Sequence, residues 1–284
     1  MTLRGAYARP GEPDRRRLLG LAAVGGAVAL ASKTTSAGPA EAAGQTRSEP
    51  RAVKALVFDT FGTVVDWRAS VAAEIEAFAH RRGVKLDPLR FADAWRAGYG
   101  PSMDRVRTGE LPWTKLDRLH RMILDKLLVD FGVGSVPESD VQELNRAWHR
   151  LRPWPDAVAG LTRLKRTFII APLSNGNISL MADLARFAGL PWDCILGAEL
   201  VRHYKPDKEV YLSAPQFLDV KPSEVMMVAA HLGDLRAAKA AGLSTAFVPR
   251  PHEFGPTGRP DLQADGSVDL TAGDFIDLAD RLGA

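Results

Sequence analysis

From residue 53 the chain alternates between two hydrophobic rhythms. Val53-Lys54-Ala55-Leu56-Val57-Phe58 is an almost unbroken apolar run, the signature of a strand buried on both faces. From Asp66 to Trp148 apolar residues instead recur at helical spacing. The spacing predicts a helix over 71–82 that stops at Gly83. A second opens at Pro88, runs through Trp95 and Tyr99, and is interrupted by Gly100-Pro101. Two more are expected over 113–131 and, after Pro137, over 138–148. Pro153-Trp154-Pro155 ends this helical stretch, because a helix does not continue easily through such a run.

Beyond it, short β-rich runs alternate with helical ones. Helices are expected over 156–166, Ile178–Ala188, 208–218 and 234–241, the last closed by Gly242. Strands are expected over 167–173, 194–196, Val225–Ala229 and 245–248. A short strand near 268–270 and a last helix from Asp274 complete the pattern. Such alternation means an α/β fold: a doubly wound parallel sheet, Rossmann-like, with an inserted helical cap domain. The expected division is a first core segment over 52–67, the cap over 68–152 and a second core segment over 153–284. No internal repeat is present.

Composition changes this picture in two places. The 284 residues are 46% hydrophobic, enough for a substantial core, and the formal net charge is +3. The first fifty residues hold seven Lys/Arg and four Asp/Glu, so the remainder carries thirty of each sign. A neutral body gives no reason to expect a nucleic-acid or membrane-surface partner. Cys194 is the lone cysteine and reads as a core filler. Asp14-Arg15-Arg16-Arg17-Leu18-Leu19 and the mild Ala/Gly-rich stretch over 21–32 look like a twin-arginine export signal, too short for a membrane span. Cleavage after Ala40-Glu41-Ala42 would end the signal at residue 42 and leave 43–51 as a polar linker. The twin-arginine translocase is then a transient partner, no membrane anchor remains after cleavage, and the mature protein is periplasmic or secreted.

The candidate chemistry lies at strand ends. Asp59 closes the first apolar run and is followed by Thr60-Phe61-Gly62-Thr63, at the edge where open α/β sheets keep their sites. A carboxylate that attacks carbon must be held and aimed. Thr63 can orient it, and the backbone N–H groups of Thr60 and Phe61 can receive a substrate carboxylate. Arg96 follows Trp95 in the second helix. Leu173-Ser174-Asn175-Gly176-Asn177 follows a strand, where a hydroxyl and an amide can bind ligand. Lys205 stands in His203-Tyr204-Lys205-Pro206, with Tyr211 six residues on. Val228-Ala229-Ala230-His231-Leu232-Gly233-Asp234 ends the series.

In this order the motifs resemble the type II (S)-2-haloacid dehalogenases of the haloacid dehalogenase superfamily, over about residues 52–255. The resemblance implies that Asp59 is a covalent nucleophile and that Arg96 grips the departing halide with help from Asn175. It further implies that Lys205 keeps Asp59 ionised, that Tyr211 hydrogen-bonds within this network, and that Asp234 is the last acid of the site. Superfamily phosphatases carry a second acid at the position of Phe61 and another at that of Ala229. Their absence points to carbon–halogen cleavage without metal or other cofactor. The substrate would be a small 2-haloacid, and homodimerisation through cap helices is common in relatives. The best-known pattern of the family has Ser at position 229 and Asn at position 231. His231 is then either a water-activating base with Asp234 behind it or a hydrogen-bonding residue of a buried loop. Trp67, Trp95 and Trp154 are candidate pocket-lining or packing residues. The readings that compete with a dehalogenase are a magnesium-dependent phosphatase and a catalytically silent binding protein of the same fold.

Overall fold

The computed structural model describes residues 53–256 and 258–284. The export signal expected over 1–42 and the linker after it lie outside the described residues. The first strand, β1 (Ala55–Phe58), has every residue buried. Its alternation sends Leu56 and Phe58 into one hydrophobic core and Ala55 and Val57 into another, so the sheet must be covered on both faces.

A two-residue strand, β2 (Val65–Asp66), leads into five consecutive helices: α1 (Trp67–Arg82), α2 (Pro88–Ala97), α3 (Tyr99–Arg107), α4 (Leu116–Asp130) and α5 (Glu138–Asn145). Asp66 caps α1 by accepting from the Ala69 N–H, so this helix starts four residues before the apolar periodicity becomes visible. Asp87 caps α2 in the same way, with Pro88 in its first turn. The break between α2 and α3 falls at Gly98, not at the expected Gly100-Pro101. A Cβ at Gly98 would lie 2.7 Å from Ile123 Cγ2, and Pro101 is tolerated in the first turn of α3, where N–H groups lack helical partners. After α5 a short 3₁₀ turn, Arg146–His149, completes the stretch expected to be helical to residue 148. Strand β3 (Arg152–Pro153) then pairs antiparallel with β2. The ribbon escaped the sequence reading because two-residue strands have no periodicity to detect.

The rest winds over the sheet: α6 (Ala157–Leu164), β4 (Ile169–Ser174), α7 (Ile178–Ala188), β5 (Leu196–Gly197), α8 (Ala198–Val201), α9 (Lys208–Phe217), β6 (Val225–Ala229), α10 (Leu232–Ala240), β7 (Ser244–Phe247), β8 (Leu270–Thr271) and α11 (Phe275–Leu282). The six strands are all parallel in the order β5-β4-β1-β6-β7-β8. The expected strand over 194–196 is displaced to Leu196–Gly197, the helix expected from Asp234 starts at Leu232, and α8 was not expected. Residues of α6, α7 and α11 pack on the Leu56/Phe58 face, and those of α9 and α10 on the other. The chain steps to opposite sides of β1 when it enters β4 and β6. The crevice of this topology therefore opens at the C-terminal end of β1, beside Asp59.

One contact tests the tightness of this packing. A Cβ at Gly160 in α6 would come within 2.5–2.7 Å of the Cβ, carbonyl carbon and carbonyl oxygen of Phe275. Helix propensity alone favours alanine by about 1 kcal/mol. The obstructing atoms are mostly backbone and cannot rotate aside, so Gly160→Ala is expected to destabilise the fold by about 1–3 kcal/mol net. Urea unfolding would register this as a lowered midpoint with an unchanged slope.

Candidate active site

Asp59 follows β1 and hands its backbone N–H to Val228 O at 3.0 Å, which aligns it with the end of β6. Its carboxylate has three partners from three segments. Thr63 Oγ1 donates to Oδ2 at 2.7 Å, His231 Nδ1 stands 3.0 Å from the same oxygen, and Lys205 Nζ lies 3.6 Å from Oδ1. Thr63 is itself fixed, because its hydroxyl oxygen accepts from Ala230 N at 2.9 Å and its carbonyl from Arg250 Nε at 2.9 Å. Arg250 is clamped in turn by a bidentate pair to Asp156 at 2.7 and 2.8 Å.

Lys205 donates to Asp234 Oδ2 at 2.7 Å, and Tyr211 donates its hydroxyl to Asp234 Oδ1 at 2.6 Å. The ammonium thus sits between two carboxylates. Burial works against the Lys205 charge, yet Asp234 and Asp59 outweigh it and raise the pKa above the usual lysine value. Burial likewise opposes ionisation of Asp59. Lys205 and the bonds from His231 and Thr63 override it and hold this carboxyl well below the usual carboxylate range. Asp59 is therefore held as the anion at neutral pH.

His231 does not have Asp234 behind it, as the sequence suggested. Asp234 lies one turn into α10 on the Lys205 side and is fully engaged there. The group behind His231 is Glu253, whose Oε2 and Oε1 lie 2.9 and 3.1 Å from Nε2. Glu253 is 1% exposed and also accepts from Trp67 Nε1 at 3.0 Å. Both ring nitrogens of His231 face carboxylates, so a proton on each satisfies both contacts. Burial disfavours that cation, but the bonds to Asp59 and Glu253 prevail and raise the pKa to about 10. The stability gained is complete below the ordinary histidine value near 6.5 and is lost as the pH rises through about 10. Gly62 makes the approach of Glu253 possible: its φ is +93°, and a Cβ there would meet Glu253 Oε1 at 2.1 Å.

These groups open onto a cavity of about 300 Å³. Arg96 reaches into it from α2 with its guanidinium 4.3 Å from the Tyr99 ring and 5.5 Å from that of Trp67. It has no carboxylate partner among the described residues, and its Nη1 is buried without an acceptor. An unpaired, half-buried cation of this kind is an anion receptor. Asn175 lines the same cavity, whereas Ser174 does not. The Ser174 hydroxyl oxygen accepts from Gly176 N at 3.1 Å and serves its own turn. Thr60 and Phe61 are buried, and neither backbone N–H donates to a carbonyl of the described residues, which leaves both free for a guest. The Phe61 ring packs edge-on against Trp148. Trp67, Trp95 and Trp154 are packing residues whose indole N–H groups go to Glu253, His120 O and Gly62 O.

Glu253, Tyr99 and Met103 were missed in the sequence. The only signal for Glu253 was its place in the loop after β7, at the active edge of the sheet. If Glu253 supplies half of the charge that holds the His231 proton, Glu253→Gln should lower the pH at which His231 titrates, well below about 10. Ring-proton NMR titration of His231 checks this, and an unmoved midpoint would count against the assignment.

Residues 53–242 match the haloacid dehalogenase-like hydrolase family. The chain is 32% identical over 217 residues to (S)-2-haloacid dehalogenase 1 of a Pseudomonas species, covering 71% of this chain and 88% of the relative. Among solved structures, a defluorinating L-2-haloacid dehalogenase superposes with a TM-score of 0.79 at 49% identity, over 83% of this chain and 98% of the other. The L-2-haloacid dehalogenase of Xanthobacter autotrophicus with chloropropionic acid covalently bound gives a TM-score of 0.69 at 25% identity, over 82% and 99%. With the sheet order, the site and these matches in agreement, the chain belongs to the haloacid dehalogenase-like hydrolase family.

Proposed function

We propose that the protein hydrolyses (S)-2-haloacids to 2-hydroxy acids through an ester on Asp59. The observation that carries this reading is the carboxylate itself. It is ionised, held by Thr63, His231 and Lys205, and faces a cavity in which Arg96 is the one cation without a carboxylate partner among the described residues. The substrate carboxylate binds at the N–H groups of Thr60 and Phe61. Asp59 attacks the α-carbon from the side opposite the halogen, and the halide leaves toward Arg96 and Asn175 with inversion. The covalent complex named for the Xanthobacter relative supports the ester.

Water then attacks the ester carbonyl. In the resting site Asp59 and Glu253 together hold His231 as an imidazolium. Alkylation removes the charge on Asp59, so the proton on Nδ1 loses its partner and can leave through the open side of the ring, which is 27% exposed. His231 then takes a proton from the attacking water while Glu253 stabilises the cation that forms. The imidazolium returns that proton to the leaving alkoxide, whose oxygen comes from Asp59, while the water oxygen restores the carboxylate and its second proton passes to solvent.

No metal step is needed. The space a divalent ion would take between Asp59 and Asp234 is filled by the Lys205 ammonium, and Ala229, which ends β6, offers no ligand. Turnover of (S)-2-chloropropionate should persist in EDTA and vanish in Asp59→Asn. A single turnover in ¹⁸O water should leave label in the Asp59 peptide, whereas label in product alone would sink the ester. Glu253→Gln should release one chloride per site at near-normal rate and then slow by about 10²-fold or more as the ester accumulates. Absence of that burst would remove His231 and Glu253 from the hydrolytic step. Export by the twin-arginine route is part of the proposal. Fractionation of cells expressing the full chain should find Arg16→Lys/Arg17→Lys protein retained in the cytoplasm.

A further inference from the structure

The donors around the cavity leave one proton unassigned. Lys205 N donates to Asn175 Oδ1 at 2.7 Å, which fixes the amide so that its NH₂ faces the other way. One amide hydrogen goes toward Met103 Sδ at 3.3 Å, and the amide lies beside the Tyr99 phenol. The phenol hydrogen meets no acceptor among the described residues. Burial pushes the Tyr99 pKa up, so the phenol stays protonated. Tyr99 lines the cavity together with Asp59, Arg96 and Asn175, and its ring lies against the Arg96 guanidinium at 4.3 Å. The break at Gly98 sets Tyr99 at the head of α3 beside the anion receptor.

We propose that Tyr99 donates this hydrogen to the departing halide and that its O–H makes the site competent toward fluoride. The inference rests on the dehalogenase reading and adds a specificity residue to it. Hydrogen bonds to an anion strengthen with its charge density, and fluoride is the smallest and most basic halide. Chloride and bromide spread their charge, are served by Arg96 and Asn175, and gain less from a further donor. Fluoride breaks a stronger bond and leaves only as compensating hydrogen bonds form. Here the donor sits beside the Asn175 amide, which Lys205 N–H fixes, and its ring lies against the Arg96 guanidinium. The Asp59 oxygen forms the new bond to carbon, and the carbon–fluorine pair departs with fluoride. The Tyr99 proton remains on oxygen, since a phenol of raised pKa does not surrender it. The 49%-identical relative is named as defluorinating, which agrees with this assignment.

The test compares halide release from (S)-2-chloropropionate and (S)-2-fluoropropionate by the full-length wild type and by Tyr99→Phe. The wild type should release both ions. The variant should lose fluoride release by about 100-fold or more, the usual loss for one preorganised donor, and lose chloride release by at least about tenfold less than that. An unchanged urea midpoint certifies that the variant folds. A wild type that releases chloride but no fluoride overturns the assignment, as does a variant that loses both activities equally or loses neither. A wild type that releases neither ion overturns the dehalogenase reading with it.

Discussion

Three carboxylates and three cations meet in one cleft: Asp59, Asp234 and Glu253 against Lys205, His231 and Arg96. Like charges about 4 Å apart repel by about 4 kcal/mol even where water penetrates. Asp59 and Asp234 both lie within 3.6 Å of Lys205 Nζ, and Asp59 and Glu253 both within 3.1 Å of a His231 nitrogen. Each cation therefore stands between two anions and cancels a repulsion that would otherwise expel one of them. Remove either cation and a carboxyl must take up a proton or move out. Arg96 is the exception, because it lies between no pair of acids. Its unbalanced charge is what an anionic guest completes.

The fold supplies this balance from distant parts of the chain. Asp59, Asn175 and His231 all lie just past the C-terminal ends of neighbouring strands β1, β4 and β6, which a parallel sheet brings together at one edge. The sheet cannot hold the groups in register by itself, because strand ends continue into loops. Side chains that never touch the cavity do this instead. Arg250 joins the Thr63 carbonyl to Asp156, and Asp156 also accepts from Phe275 N at 2.9 Å, so α11 braces the turn that aims the nucleophile. Trp67 performs the same service for Glu253 from α1.

How much of this could be read in advance follows from where each residue stands. Asp59 was legible because it closes an apolar run that fixes a strand, whereas Lys205 and Asp234 were placed by resemblance to the family's motifs. Glu253 was not. It lies in an irregular loop 22 residues after His231, and only the folded chain brings the two together. Local pattern alone offered His231 a partner from its own segment, Asp234, because near neighbours are the only ones visible there. Tyr99 was hidden for a different reason. The helix break was expected at Gly100-Pro101 and falls one residue before Tyr99, at Gly98. At Ser174 the hydroxyl oxygen accepts from Gly176 N within its own turn, a local contact that the strand-end pattern does not reveal.

The position of His231 carries the largest consequence. An asparagine there could hydrogen-bond Asp59 but could not change its charge. An imidazolium can, and the proton on Nδ1 is held chiefly by the negative charge of Asp59 itself. In the proposed reaction the two groups are thus linked by charge. While Asp59 is free, His231 is charged and cannot act as a base, so water near the nucleophile is not activated before substrate arrives. Once Asp59 is esterified, its hold on the proton goes and basicity appears at the atom 3.0 Å from the new ester. Glu253 does not react, and its contacts to Nε2 and to Trp67 persist through both steps. It prevents the histidine from losing its second proton and its orientation together. Nucleophile and base are switched by the same event, and a single buried carboxylate behind the ring suffices to make the exchange reversible.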